Sequence, residues 1–217
     1  MASKPILFST PMVQALLEGI KTMTRRVIKD KDIINRFDID VDGKPIAYID
    51  QATGDSYPPT AIARYHIGDI LWVRETWFEN EECLLYKASK YENTKEYHGR
   101  NGWVQIKWRP SIFMPREAAR IFLRVTNVRV ERLQEITEED AIAEGISWLD
   151  EACYSNNGWT PTLYDPDSGG SPVFRDGFIA LWDSINAKRG YSWDTNPWVW
   201  VYEFERVSAD GSSKDER

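Results

Sequence analysis

Arg120-Ile121-Phe122-Leu123-Arg124-Val125-Thr126-Asn127-Val128-Arg129-Val130-Glu131-Arg132-Leu133 carries the longest strand signal in this chain of 217 residues. Ile121, Leu123 and Val125 share one parity, and Val128 and Val130 the other. Side chains alternate between the two faces of a strand, so the change of parity near Thr126-Asn127 predicts a bulge or tight bend. A strand that bends in mid-course suits a small barrel. Just downstream, Thr137-Glu138-Glu139-Asp140 has the spacing of a capping box, with Ile136 placed to staple onto Ala141. Gly145 ends that helix early, and Glu144 falls in its last turn.

Working outward, residues 150–173 are rich in Asn, Gly, Pro, Asp and Ser and read as a long loop. Phe174, Phe178, Leu181, Trp182 and Ile185 then mark an amphipathic helix, and residues 198–205 a closing strand. Residues 208–217 read as a disordered tail. Upstream, Ile67 to Trp77 form a Gly-Asp turn running into an apolar strand, with Leu84-Leu85-Tyr86 as its neighbour. Trp103 to Trp108 alternate as a half-buried strand. Residues 30–64 read as an insertion with a hairpin turn at Asp42-Gly43. At the start, Ile6-Leu7-Phe8 is a short strand; a helix follows, with Thr10 as its N-cap, Pro11 in its first position and Gly19 as its stop. The order of elements predicts one α+β domain over residues 1–207 with a bent, barrel-like sheet, rather than a βαβ repeat.

Composition narrows the function. The net charge of −7 argues against a protein that coats nucleic acid by neutralising phosphates. Two cysteines far apart and two histidines argue against a structural zinc site and for a reducing cytoplasm. No metal and no cofactor are expected. No run reaches the ~18 apolar residues of a membrane span, and Met1 to Pro5 lack a signal pattern, so a soluble cytoplasmic protein is expected. Ten Trp fit either an aromatic core or a surface that meets bases; for Trp72, Trp77, Trp103 and Trp108 the expectation is core. Arg116, Arg120, Arg124, Arg129 and Arg132 are diluted by Glu117, Glu131 and Glu135 and read as a solvated face.

Gly19-Ile20-Lys21-Thr22-Met23-Thr24-Arg25-Arg26 packs two hydroxyls, an amine and two guanidiniums into eight residues. Together with Gly68-Asp69-Ile70-Leu71-Trp72-Val73, Phe122 to Val128 leading to Ile136-Thr137-Glu138-Glu139-Asp140-Ala141, and Val201-Tyr202-Glu203-Phe204, it resembles the ASCH-domain proteins, relatives of the PUA RNA-binding fold. The resemblance covers about half the chain. It is strongest to the longer ASCH proteins of bacteriophages and prophages, which share the Trp-rich ending at Leu181 to Asn186 and Asn196 to Trp200. It implies a PUA-like bent barrel of mixed strands with an N-terminal helix and short peripheral helices. A bacterial branch of the family hydrolyses the acetyl amide of N4-acetylcytidine with a Lys, a Thr three residues on, and a Glu from the short helix after the long strand. By motif these are Lys21, Thr24 and Glu144, with Arg26 at a further basic position. This chain departs from that branch in its length, its two insertions and its Trp-rich end.

The chemistry is coherent by itself. A neutral threonine hydroxyl is a poor nucleophile and needs a base. Crowding by Arg25 and Arg26 together with partial burial disfavours the ammonium form of Lys21, leaving an amine to take the Thr24 proton. The helix C-terminus biases Glu144 toward its acid form, which suits protonation of the leaving amine. Arg25, Arg26 and Trp72 are candidate substrate contacts, and Glu75 is a rival acid with a plainer role as an ion-paired strand carboxylate. Lys21, Thr24 and Glu144 have plainer roles too, as a solvated lysine, a backbone-bonding hydroxyl and a surface carboxylate. The readings that follow are an amidohydrolase of acylated cytidine-type nucleosides, a non-catalytic RNA- or nucleotide-binding module or ribonuclease, and a phage accessory protein.

Overall fold

The computed structural model describes residues 3–89, 94–146 and 174–209. The expected loop at 150–173, Cys153 and all but the first two residues of the expected tail lie outside them. In chain order the elements are β1 (Ser3–Leu7), α1 (Thr10–Leu17), β2 (Met23–Val27), α2 (Lys31–Ile34), β3 (Phe37–Ile39), β4 (Pro45–Ile49), β5 (Ser56–Tyr57), β6 (Ile70–Arg74), β7 (Trp77–Glu79), β8 (Leu84–Tyr86), β9 (Glu96–Gly99), β10 (Gly102–Gln105), β11 (Phe122–Arg132), α3 (Glu138–Ala143), α4 (Phe174–Asn186) and β12 (Trp198–Val207). The fold is α+β, mostly sheet with a few helices. The described residues fall into two compact units: those within 1–19, 67–126 and 204–217 form the first, and those within 20–66 and 127–203 the second.

In the first unit the strand order is β1-β6-β11. β1 runs parallel to β6, Ser3 opposite Ile70 and Leu7 opposite Arg74, and β6 pairs antiparallel with the start of β11, Phe122 opposite Trp72. The long apolar run expected at 67–77 is two strands, because the pairing changes at Glu75-Thr76: β6 stays with β1 and β11, and β7 pairs with β8. β9 and β10 form a hairpin that leaves Trp103 70% exposed and edge-on to His98. That corrects the core expectation for Trp103, whereas Trp72 and Trp77 are buried. Alternation places a side chain on one face of a strand, but the face is dry only where another layer covers it. The α1 cap also shifts by one residue: Ser9 is the N-cap and Thr10 is already helical. Pro11 still sits in the first turn, where a missing N–H leaves no bond unmade.

In the second unit the order is β11-β12-β2, with β2 at the edge. In neither unit does the order return on itself, so no closed barrel is formed by the described strands. The parity of burial changes as expected, with Val125 and then Val128 turned inward. β2 pairs antiparallel with β12, Thr24 opposite Tyr202 and Arg26 opposite Trp200. One face of these strands, with Met23, Val199 and Val201, packs on Leu133, Ile136, Ala141, Phe178 and Trp182 from β11's end, α3 and α4. The other face, with Trp198 and Trp200, meets Phe37 edge-on at 6.3 Å in each case. Phe37 belongs to β3 of the small sheet β3-β4-β5, so the 30–64 insertion supplies a packed layer. Its turn is longer than the two residues expected, because the Asp40 side chain accepts from the backbone N–H groups of Asp42 and Lys44.

α3 is the element that delivers Glu144. Its six residues are too few to form a stable helix alone, so its ends carry the stabilisation. Thr137 accepts a hydrogen bond from the Asp140 N–H at 3.2 Å, and Gly145 leaves the helix at φ 96°, in the left-handed region a side chain would strain. Thr137→Ala is expected to lower stability by about 1 kcal/mol, read as a shift of the urea midpoint with unchanged slope.

Candidate active site

The last carbonyls of α3 have no partner within the helix and must find one elsewhere. The segment between α1 and β2 provides two. The Thr22 N–H donates to the Ala143 carbonyl at 2.9 Å, and the Lys21 amine donates to the Glu144 carbonyl at 2.6 Å. The same Nζ lies 2.8 Å from Glu144 Oε2, with the Lys21 side chain fully enclosed and that of Glu144 5% exposed. An amine can make both bonds with its two N–H groups.

Burial is the largest influence on Lys21 and pushes its amine below the ordinary lysine value of 10.5. Glu144 pulls the other way, and Arg26 and Arg25 add repulsion in the same sense as burial. Arginine crowding and partial burial are expected from sequence; the enclosure is complete, and it dominates. Glu144 itself meets more cations than the helix terminus alone suggested. Arg25 Nη1 donates to its Oε1 at 3.5 Å, Lys21 holds Oε2, and Arg26 lies within electrostatic range. Both carboxyl oxygens thus act as acceptors.

β2 then splits the basic stretch between two faces. Thr24 and Arg26 share the face of Tyr202 and Trp200, their cross-strand neighbours. Thr24 is 2% exposed. Burial lowers the Arg26 guanidinium, countered by Glu144, Tyr65 and Tyr202. Tyr65 packs edge-on against Tyr202 at 5.1 Å, and burial raises both phenols. Met23 and Arg25 take the opposite face. Arg25 donates to Asp140 Oδ2 and, at 3.2 Å, to Glu131 Oε2, and it stands 6.0 Å from the centre of the Phe178 ring. Arg129 of β11 shares both acids and also binds Glu203.

Of the residues singled out from sequence, the structure brings Lys21, Arg25 and Glu144 into direct contact, with Thr24 and Arg26 on the adjoining strand. Glu75 and Trp72 lie in the first unit. Glu75 is 1% exposed and both its oxygens are held by Arg120, Nε at 2.8 Å and Nη2 at 2.9 Å. The Trp72 ring packs on Phe122 and Val207, with the Arg74 guanidinium over it at 4.6 Å. The residues missed from sequence are Asp140, Glu131 and Arg129. Asp140 had a usable signal, since it lies one turn before Glu144 and shares its helix face; Glu131 and Arg129 had none.

A cavity of about 640 Å³ in the second unit is lined by Lys44, Pro45, Pro59, Val128, Arg129 and Glu131 among others; Lys21, Thr24 and Glu144 are not among its walls. Among the described residues, no group of three or more His, Cys, Asp or Glu is arranged to hold a metal ion, and no helix is long and apolar enough to cross a membrane.

The site is a buried amine–carboxylate pair beside a strand that carries a hydroxyl and a guanidinium. No family model and no curated protein matches the chain. Among solved structures, an ASCH domain from Lactobacillus crispatus JV V101 is similar at 11% identity and a TM-score of 0.41, over 95% of this chain and 80% of that one. A likeness at that level assigns no function.

Proposed function

We propose that this protein is an amidohydrolase that removes an acyl group from a modified cytidine-type nucleoside, with N4-acetylcytidine as the type substrate. The observation that carries the reading is the enclosed Lys21–Glu144 contact at 2.8 Å, in which burial disfavours the lysine ammonium. The resemblance of the Lys21, Thr24 and Glu144 motif to the N4-acetylcytidine-hydrolysing branch of the ASCH family supplies the substrate class.

In this reading the Thr24 hydroxyl attacks the amide carbonyl carbon and its proton passes to the Lys21 amine. The proton then crosses to Glu144 Oε2 and on to the N4 nitrogen, whose bond to the acyl carbon breaks as cytidine leaves. Water attacks the acyl-Thr24 ester, Lys21 takes the proton of that water, and acetate departs as the Thr24 oxygen regains a proton. Arg26, on the Thr24 face, binds a substrate oxygen. The reaction needs no metal, redox partner or cofactor to balance.

Incubation of the full chain with N4-acetylcytidine, followed by chromatography for cytidine, is expected to show turnover; its absence overturns the reading. The base must be unprotonated to act, so kcat/KM rises with pH along a limb set by Lys21. Because the folded-state lysine is depressed, that limb is expected below 10.5. Activity that falls as pH rises through neutrality contradicts the assignment. If turnover is absent while the chain retards RNA in a gel shift with a salt-dependent constant, the non-catalytic RNA-binding reading replaces it.

A further inference from the structure

We infer that Arg25 is a positioning residue: held by Asp140 and Glu131, it sets how the Glu144 carboxylate is shared between its own guanidinium and the Lys21 amine. The inference rests on the amidohydrolase reading only for its kinetic consequence.

Arg25 does not reach solvent: its side chain is fully enclosed. A buried guanidinium is tolerated only where carboxylates compensate it, and Arg25 has three. Nη2 serves Asp140 and Glu131, and Nη1 serves Glu144 and, at 3.1 Å, the Met23 sulfur. Asp140 and Glu144 are one turn apart on the same face of α3, so a single planar guanidinium can span them. The contacts are unequal in a consistent way. Arg25 Nη2 donates to Asp140 while Nη1 stands 3.5 Å from Glu144, whereas Lys21 is 2.8 Å from the other Glu144 oxygen. Asp140 and Glu131 thus restrain Arg25 from taking Glu144 away from Lys21. Arg129, bound to Glu131, Asp140 and Glu203, holds those two acids in turn. Among the described residues, the charged groups that act on the amine include Glu144 at the end of α3, Arg25 and Arg26 from β2, and, one contact further out, Asp140, Glu131, Arg129 and Glu203.

This arrangement makes a signed prediction that a merely structural role does not. Removing Arg25 removes a like charge beside Lys21 and leaves Glu144 wholly to it, so the Lys21 titration midpoint rises. Removing the charge of Asp140 frees Arg25 to move onto Glu144 and subtracts a nearby anion, so the midpoint falls. The measurement is the pH dependence of the Lys21 ¹³Cε resonance in the full chain, without substrate, assigned by its loss in Lys21→Arg. Arg25→Gln is expected to move the midpoint up and Asp140→Asn to move it down, with Arg25→Lys intermediate between wild type and Arg25→Gln. Arg25→Lys and Asp140→Asn also carry the test if Arg25→Gln does not fold. Shifts of the same sign, or no shift, overturn the inference.

On N4-acetylcytidine, at pH well below the midpoint, each unit by which Arg25→Gln raises the midpoint is expected to lower kcat/KM about tenfold through the fraction of free amine. The two proposals fail separately. Opposite shifts without turnover of N4-acetylcytidine by wild type support the positioning role and remove the amidohydrolase reading. Turnover without opposite shifts removes the positioning role alone.

Discussion

Thr24→Ala is expected to lower kcat for N4-acetylcytidine by at least about 10³-fold while leaving the protein folded. The substitution takes away the nucleophilic hydroxyl together with the γ-methyl. Removing a residue of a nucleophile–base unit forfeits most of what the unit does, since Lys21 without a hydroxyl to deprotonate has nothing to activate. Thr24 is small and held in β2 by its pairing opposite Tyr202, so its loss opens little space. The expected stability change is about 1 kcal/mol, within the range of an ordinary buried polar truncation. Thr24→Ser keeps the oxygen and is expected to retain activity within roughly tenfold, as a primary alcohol is still activated by the same base. Steady-state kinetics with a thermal melt decides it. A Thr24→Ala protein that turns over at the wild-type rate removes Thr24 from the reaction.

Glu144→Gln is expected to be the most destabilising conservative change in the second unit, by about 3–5 kcal/mol, because it leaves enclosed cations without an anion they were built around. The amide still fits the space and can still accept from Lys21, so the loss is electrostatic. Its pH dependence has a definite sign. In the folded wild type Lys21 already lies below its unfolded value of 10.5, and without Glu144 the pull toward the ammonium form is gone, so it falls further. The unfolded chain then binds a proton that the folded chain does not, and stability rises with pH up to the unfolded value. The deficit of Glu144→Gln relative to wild type should therefore shrink as pH rises toward the folded-state midpoint of wild-type Lys21, which lies below 10.5, as measured by denaturant unfolding across neutral and alkaline pH. Equal stability at neutral pH, or a deficit that widens with pH, contradicts the buried pair.

The charged residues mark where local reading stops. The arginines of the 116–132 segment look like a solvated face, because only their neighbours in sequence are visible. In the fold Arg120 is spent on Glu75, 45 residues away, and Arg129 on Glu203, 74 residues away. Arg132 lies over the Trp198 ring at 4.1 Å. Trp103 errs in the opposite direction. Its strand alternates as a half-buried strand should, but among the described residues no layer covers the face of the β9-β10 hairpin that carries it, and only the partner of a face determines whether the face is dry.

Elements whose causes are local were legible without coordinates. The Thr137 cap, the Gly145 stop, the amphipathic helix Phe174–Asn186 and the parity change in β11 each depend on residues within a turn or two, where backbone geometry and hydrophobic period act directly. The Lys21–Glu144 pair spans 123 residues of sequence, and neither its closeness nor its dryness follows from anything near either residue. Burial is a property of the assembled layers, and the charge state of a lysine is governed by burial. Tertiary structure alone therefore divides the basic stretch, turning Arg25 inward onto Asp140 and Glu131, carrying Thr24 and Arg26 to the other face of β2, and enclosing Lys21 where its ammonium is disfavoured.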